Sequence, residues 1–132
     1  MGAEPWEYFV PYEPNIQTAL DKLRQQEFAA GRFRGSELNP TTIEEAFENM
    51  DADGTASILD IERVSKGADY GAVCPLPSSE LTRYFGTNKP THGMIEANQD
   101  FYEDIERGQG IYIVVYKDEK PSEIFFAGYS FD

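Results

Sequence analysis

The run from Gly110 to Phe131 constrains the fold of this chain more than any other stretch. Ile111-Tyr112-Ile113-Val114-Val115-Tyr116 has no polar interruption and is dense in β-branched and aromatic residues, the pattern of a strand covered on both faces. A polar connection, Lys117 to Ser122, leads into a second apolar run from Glu123 to Phe131. Two such runs on either side of turn chemistry read as a hairpin. In the second run Phe125, Ala127, Tyr129 and Phe131 alternate with Ile124, Phe126, Gly128 and Ser130, so each set lines one face. The hairpin is expected in the middle of a sheet that upstream helices cover.

The preceding chain supplies those helices. Ile16, Ala19, Leu20, Leu23 and Ala30 recur at helical spacing between Asn15 and the stop signal Gly31. Thr42 followed by Glu45 has capping-box spacing and opens a helix carrying Ile43, Ala46, Phe47 and Met50 on one side. Thr91 caps a last long helix expected to reach Arg107, with Met94, Ala97, Phe101 and Ile105 as its apolar stripe. Its other side carries Glu96, Asp100, Glu103, Asp104 and Glu106. Ahead of all of these, Trp6 to Tyr12 alternates as a strand, and Pro11 places it on a sheet edge. The segment after Ile61 reads as a long loop through Gly67, Gly71, Pro75 and Pro77, and connections of that length are usually functional or mobile. A short helix with Leu81, Tyr84 and Phe85 follows it.

Asp51 to Glu62 reads Asp-Ala-Asp-Gly-Thr-Ala-Ser-Ile-Leu-Asp-Ile-Glu and resembles the calcium loop of the EF-hand family. Asp51, Asp53, Thr55, Ser57 and Glu62 fall at the first, third, fifth, seventh and twelfth places, and Ile58 at the aliphatic eighth. The resemblance implies a single calcium site. The family's turn glycine at the sixth place is Ala56 here, and the chain has no second loop to pair with the first. Calcium binding therefore stands as an alternative function, and no residue is assigned as a metal ligand. The competing reading of this stretch is a helix end followed by a short strand or helical turn through Ser57-Ile58-Leu59.

Charge narrows the partners. The chain has 24 acidic and 11 basic side chains, a net charge of −13. Nucleic-acid backbones are repelled by such a surface, whereas a basic protein is attracted and steered. Lys22, Arg24, Arg32 and Arg34 concentrate four cations around the end of the first helix. They suit either the helix dipole or a small anion patch. The single cysteine, Cys74, excludes an internal disulfide and fits a reducing compartment. No basic-then-apolar leader is read at Met1-Gly2-Ala3-Glu4-Pro5-Trp6, Trp6 replaces the hydroxyl residue a myristoylation site needs, and no apolar run is long enough to span a membrane. These features predict a cytoplasmic protein with no membrane association.

Catalytic patterns are scarce. Cys74 and His92 are the one available thiol–imidazole pair, and a nucleophile needs its base within hydrogen-bond reach. No phosphate loop, dinucleotide fingerprint, HExxH, CxxC or nucleophile elbow occurs. Phe125, Tyr129 and Phe131 read as core under a helix in preference to a ligand platform. The expectation is one α+β domain over residues 1–132, a small antiparallel sheet centred on the C-terminal hairpin and covered by two longer helices. The function expected is an acidic interaction or inhibitor module for a basic protein partner. Alternatives are the calcium site at 51–62 and a small-molecule binder or enzyme using the loop at 66–79. Catalytic residues and oligomeric state stay unassigned, and no cofactor is expected.

Overall fold

The structure, a computed structural model, describes residues 3–132. Met1 and Gly2, on which the leader and acylation readings partly rest, lie outside the described residues. The chain runs β1 (Pro5–Pro11), α1 (Ile16–Ala30), α2 (Ile43–Asn49), β2 (Arg63–Val64), β3 (Ala72–Pro75), α3 (Ser78–Phe85), α4 (His92–Ala97), β4 (Gly110–Lys117) and β5 (Lys120–Tyr129). Short 3₁₀ turns occupy Ser36–Leu38, Asp51–Asp53, Ile58–Asp60 and Asp100–Asp104.

The strands form a five-stranded sheet in the order β1-β5-β4-β3-β2. β1, β5 and β4 are antiparallel, but β3 and β2 lie parallel to β4. The sheet is thus mixed, which corrects the small antiparallel sheet expected from the hairpin. The stretch after Ile61 is also more than a loop. Val73 and Cys74 pair with Gly110 and Ile111, and Arg63 and Val64 with Ala72 and Val73. Both strands are too short for periodicity to reveal them.

Alternation on β5 divides the interior in two. Ile124 and Phe126 join Leu20, Leu23, Ile58, Leu59 and Ile61 on the α1 side. Phe125 and Ala127 join Ile95, Phe101, Ile111, Ile113 and Val115 on the other. Burying both faces explains why β4 and β5 are nearly continuous in apolar residues. Trp6 completes the first layer against Gly128, its register partner, and Gly110 opposite it. A Cβ on Gly110 would stand 2.8 Å from the indole ring, so side-chain-free backbone makes room for it.

α1 forms as its signals predict: Asn15 Oδ1 accepts from the Thr18 amide at 3.2 Å, and Gly31 ends the helix at φ 70°. The expected long helix from Thr91 to Arg107 does not form. α4 stops at Ala97, because Asn98 is extended and its side chain turns the backbone, accepting from the Asp100 amide at 3.0 Å. Asparagine competes for local backbone donors in this way. α1 is therefore the single long helix among the described residues, and shorter pieces cover the opposite face.

Candidate functional site

The 3₁₀ turn that replaces the end of the expected helix drives Phe101 into the core, fully buried, and leaves Glu103 exposed. Between them Tyr102 lies half-buried, its phenol donating to the Trp6 carbonyl at 2.9 Å. Its ring meets Tyr129 edge-on at 5.4 Å and 66°. Burial, reinforced by Glu7, raises the Tyr102 pKa well above that of a free phenol, so it stays a neutral donor. Tyr70 stands across from this pair, 60 % exposed, its ring stacked against Phe131 at 6.4 Å.

Tyr70, Tyr102 and Tyr129 line, with Ile105, Glu103, Glu106 and Arg107, a cleft of about 620 Å³. Arg107 leans toward Asp132 at 3.5 Å. Glu103 and Glu106 take part in none of the ion pairs among the described residues. Aromatic faces attract cations through their quadrupoles, and carboxylates beside them add a full charge. Rings and uncommitted acids on one cleft form an arrangement suited to a positively charged group.

The cations seen in the sequence are mostly committed elsewhere. Lys22 pairs with Glu13 at 3.0 Å, Arg32 with the buried carboxylate of Glu27 at 2.7 Å, and Arg83 with Asp104 at 3.0 Å. Arg34 donates to the carbonyls of Asp53, Gly54 and Asp132. The cluster at Lys22, Arg24, Arg32 and Arg34 is therefore no shared anion patch. No basic residue falls in the last turn of α1 either.

The loop at 51–62 is organised around a residue outside the EF-hand ligand set. Asp60 is 2 % exposed, and its Oδ1 accepts from both the amide and the hydroxyl of Thr55 at 2.7 Å. Its Oδ2 accepts from Ser130 Oγ at 2.6 Å. Thr55 and Ser57 turn inward and bond each other at 2.8 Å, whereas Asp51, Asp53 and Glu62 are exposed. Ala56 does adopt the left-handed backbone of the family's glycine, at φ 55°. Even so, no cluster of three His, Cys, Asp or Glu side chains among the described residues is placed to hold a metal ion. Asp60 has no role in the reading of the sequence alone, although an acid inside Ile58-Leu59-Asp60-Ile61 is a signal of a buried carboxylate. Ser57-Ile58-Leu59 enters a helical turn, as the competing reading of that stretch had it.

The segment at 66–79 borders a cavity of about 330 Å³ that includes Cys74. Burial raises the Cys74 thiol pKa, which makes it a poorer nucleophile. His92 instead bonds Glu123 at 2.9 Å and stacks on Phe9 at 3.8 Å. Cys74 and His92 form no hydrogen bond with each other, so the thiol–imidazole pair is not assembled. Of the aromatic trio, Phe125 is fully buried, Tyr129 is partly exposed in the cleft, and Phe131, also partly exposed, stacks on Tyr70 beside it. Periodicity places Tyr102 only beside the apolar stripe of the last helix and gives no place to Tyr70, whose signal is an aromatic residue within the polar run Lys66 to Gly71.

Compared with family models, curated proteins and solved structures, the chain matches none.

Proposed function

We propose that the protein is an interaction module that receives a cationic side chain of a basic partner protein in the Tyr70–Tyr102–Tyr129 cleft. One observation carries this reading: three tyrosine rings and two unpaired carboxylates, Glu103 and Glu106, line the same 620 Å³ space. The net charge of −13 supports it by steering positively charged partners toward the surface. Ring and carboxylate act together on one cation, the ring adding about 0.5–2 kcal/mol according to how fully the site excludes water.

The test is an amide NMR titration with a short peptide of alternating arginine and alanine, beside a glutamine-for-arginine control. Shifts are expected to concentrate at Tyr70, Tyr102 to Arg107 and Tyr129, for the arginine peptide alone. The double substitution Glu103→Gln, Glu106→Gln is expected to weaken binding about tenfold, roughly 1.4 kcal/mol. Raising the salt should weaken it further, since exposed charges are screened over about 10 Å at 0.1 M. Shifts spread evenly over the surface, or undiminished binding by the double variant, would show that the cleft is not the site.

A further inference from the structure

A second cavity lies on the opposite layer of the protein, between α1 and α2, with a volume of about 790 Å³. It shares no lining residue with the tyrosine cleft. Its wall is part apolar, from Phe28, Phe47 and Leu59, and part acidic, from Glu44, Glu48 and Glu62. Arg24 projects from α1 into this wall.

Arg24 is anomalous. In a chain of 24 acidic residues its side chain makes no hydrogen bond and no ion pair among the described residues, although Glu62 and Asp21 are near enough to act on it through their charge. Its Nε is shielded from solvent and lacks an acceptor. A guanidinium is the side chain best shaped to grip a carboxylate with two parallel hydrogen bonds, and leaving a buried donor without a partner is unfavourable. Arg24 is thus a donor group held in a cavity wall with no internal acceptor.

The rest of the wall narrows what that acceptor is. Three carboxylates around one arginine repel a doubly charged phosphate, and they favour a ligand whose single negative charge is accompanied by a positive one. The apolar wall calls for a hydrocarbon or aromatic body. We propose that this cavity binds a small zwitterion, an apolar amino acid or the free end of a short peptide, with its α-carboxylate on Arg24 and its ammonium toward Glu44, Glu48 or Glu62. The volume falls in the range typical of small-molecule sites.

The experiment is an amide NMR titration of the full chain with four probes: L-phenylalanine, the dipeptide Leu-Phe, its C-terminal amide and its N-acetyl derivative. Leu-Phe is expected to shift amides near Arg24 to Phe28 and Ile43 to Glu48. The amide and the N-acetyl derivative should each bind about tenfold more weakly. Arg24→Gln should bring Leu-Phe down to the affinity of its amide, while Arg24→Lys, which keeps the charge and reports on folding, retains part of the binding. L-Phenylalanine binding as tightly as Leu-Phe would assign a free amino acid, and Leu-Phe alone would assign a peptide end. Equal affinity for Leu-Phe and either blocked derivative overturns the proposal. So does undiminished binding by a folded Arg24→Gln variant, or an absence of shifts with both L-phenylalanine and Leu-Phe at about 10 mM, where even a millimolar site would be largely filled.

Discussion

Ser130 Oγ donates to Asp60 Oδ2 at 2.6 Å, joining two residues 70 positions apart, both essentially out of solvent. The same hydroxyl accepts from the Ala56 amide at 3.1 Å and lies 3.1 Å from the Asp53 carbonyl. The C-terminal end of the sheet is thereby tied to the segment that resembles a calcium loop. Within that segment Asp60, Thr55 and Ser57 are engaged in holding the fold.

Removing the acid should be costly. Asp60→Ala leaves the Thr55 amide without an acceptor, and takes one bond each from the Thr55 hydroxyl and Ser130 Oγ, which keep Ser57 and the Asp53 carbonyl as neighbours. An orphaned buried group costs about 1–3 kcal/mol and a lost bond about 1 kcal/mol. A loss of about 3 kcal/mol is expected in urea unfolding, with Ser130→Ala losing about half as much. An unchanged midpoint for Asp60→Ala would show that the knot is not needed for stability.

Asp60 also sets a pH dependence. Burial raises its pKa above the ordinary 3.8, and the hydrogen bonds from Ser130 and Thr55 only partly oppose this. A carboxyl whose folded-state pKa exceeds its unfolded value binds its proton more tightly when folded. Its contribution to stability is fully present below pH 3.8 and is lost as the pH rises through the folded pKa. Unfolding of the wild type and Asp60→Asn, compared across acidic pH, should show the wild type gaining on the variant as pH falls. A difference independent of pH would contradict the raised pKa.

His92 should titrate above its usual 6.5, because Glu123 hydrogen-bonds the imidazole and Glu96 adds its charge. The sign is the same: the stabilisation holds below pH 6.5 and is lost as the pH rises through the folded pKa. An NMR titration of the ring protons should show the raised midpoint, and Glu123→Gln should bring it back down. The side chain is only half-buried, so solvent screens the pair and no large change in stability accompanies it.

The hairpin turn can be improved. Asp118 and Glu119 both hold left-handed backbone, at φ 51° and 64°, between the paired residues Lys117 and Lys120. This two-residue turn favours Asn-Gly, and a left-handed residue with a side chain costs about 1–2 kcal/mol relative to glycine. Asp118→Asn with Glu119→Gly is expected to raise stability by about 1 kcal/mol, read from thermal unfolding. Destabilisation would mean that the turn is held by its neighbours rather than by its own preference.

Gly108 should tolerate no side chain. It lies at φ 75°, and a Cβ there would overlap the Phe131 ring that stacks on Tyr70. Gly108→Ala is expected to cost about 2 kcal/mol or more, since a left-handed backbone and an overfilled contact act together. It should also shift the Tyr70 ring resonances, because the displaced Phe131 carries its stacking partner with it. A variant of wild-type stability with unmoved Tyr70 signals would refute the contact.

Local chemistry made several elements legible. Asn15 and Gly31 bracket α1 because a side-chain cap and a left-handed stop act within one turn of the chain. Thr42 caps α2 by accepting from the Glu45 amide at 3.0 Å, and Glu45 reaches back to the Thr41 amide, one residue before the position a capping box uses. The strand pairing of β4 with β5 was equally plain, since two apolar runs and a turn leave few other ways to satisfy the backbone.

What the chain determined alone was this set of short-range preferences, together with a surface whose acids outnumber its bases. Tertiary packing decided the rest. β2 and β3 exist through long-range pairing with β4 and carry too few residues to show a period. The last helix breaks at Asn98, where local bonding prevails over an apolar stripe that continues past it. The tyrosines of the cleft come from positions 70, 102 and 129, and Arg24 faces residues of α2 and Glu62. Groups that far apart meet only when the sheet is built, because separation in sequence fixes neither direction nor distance once the chain has folded.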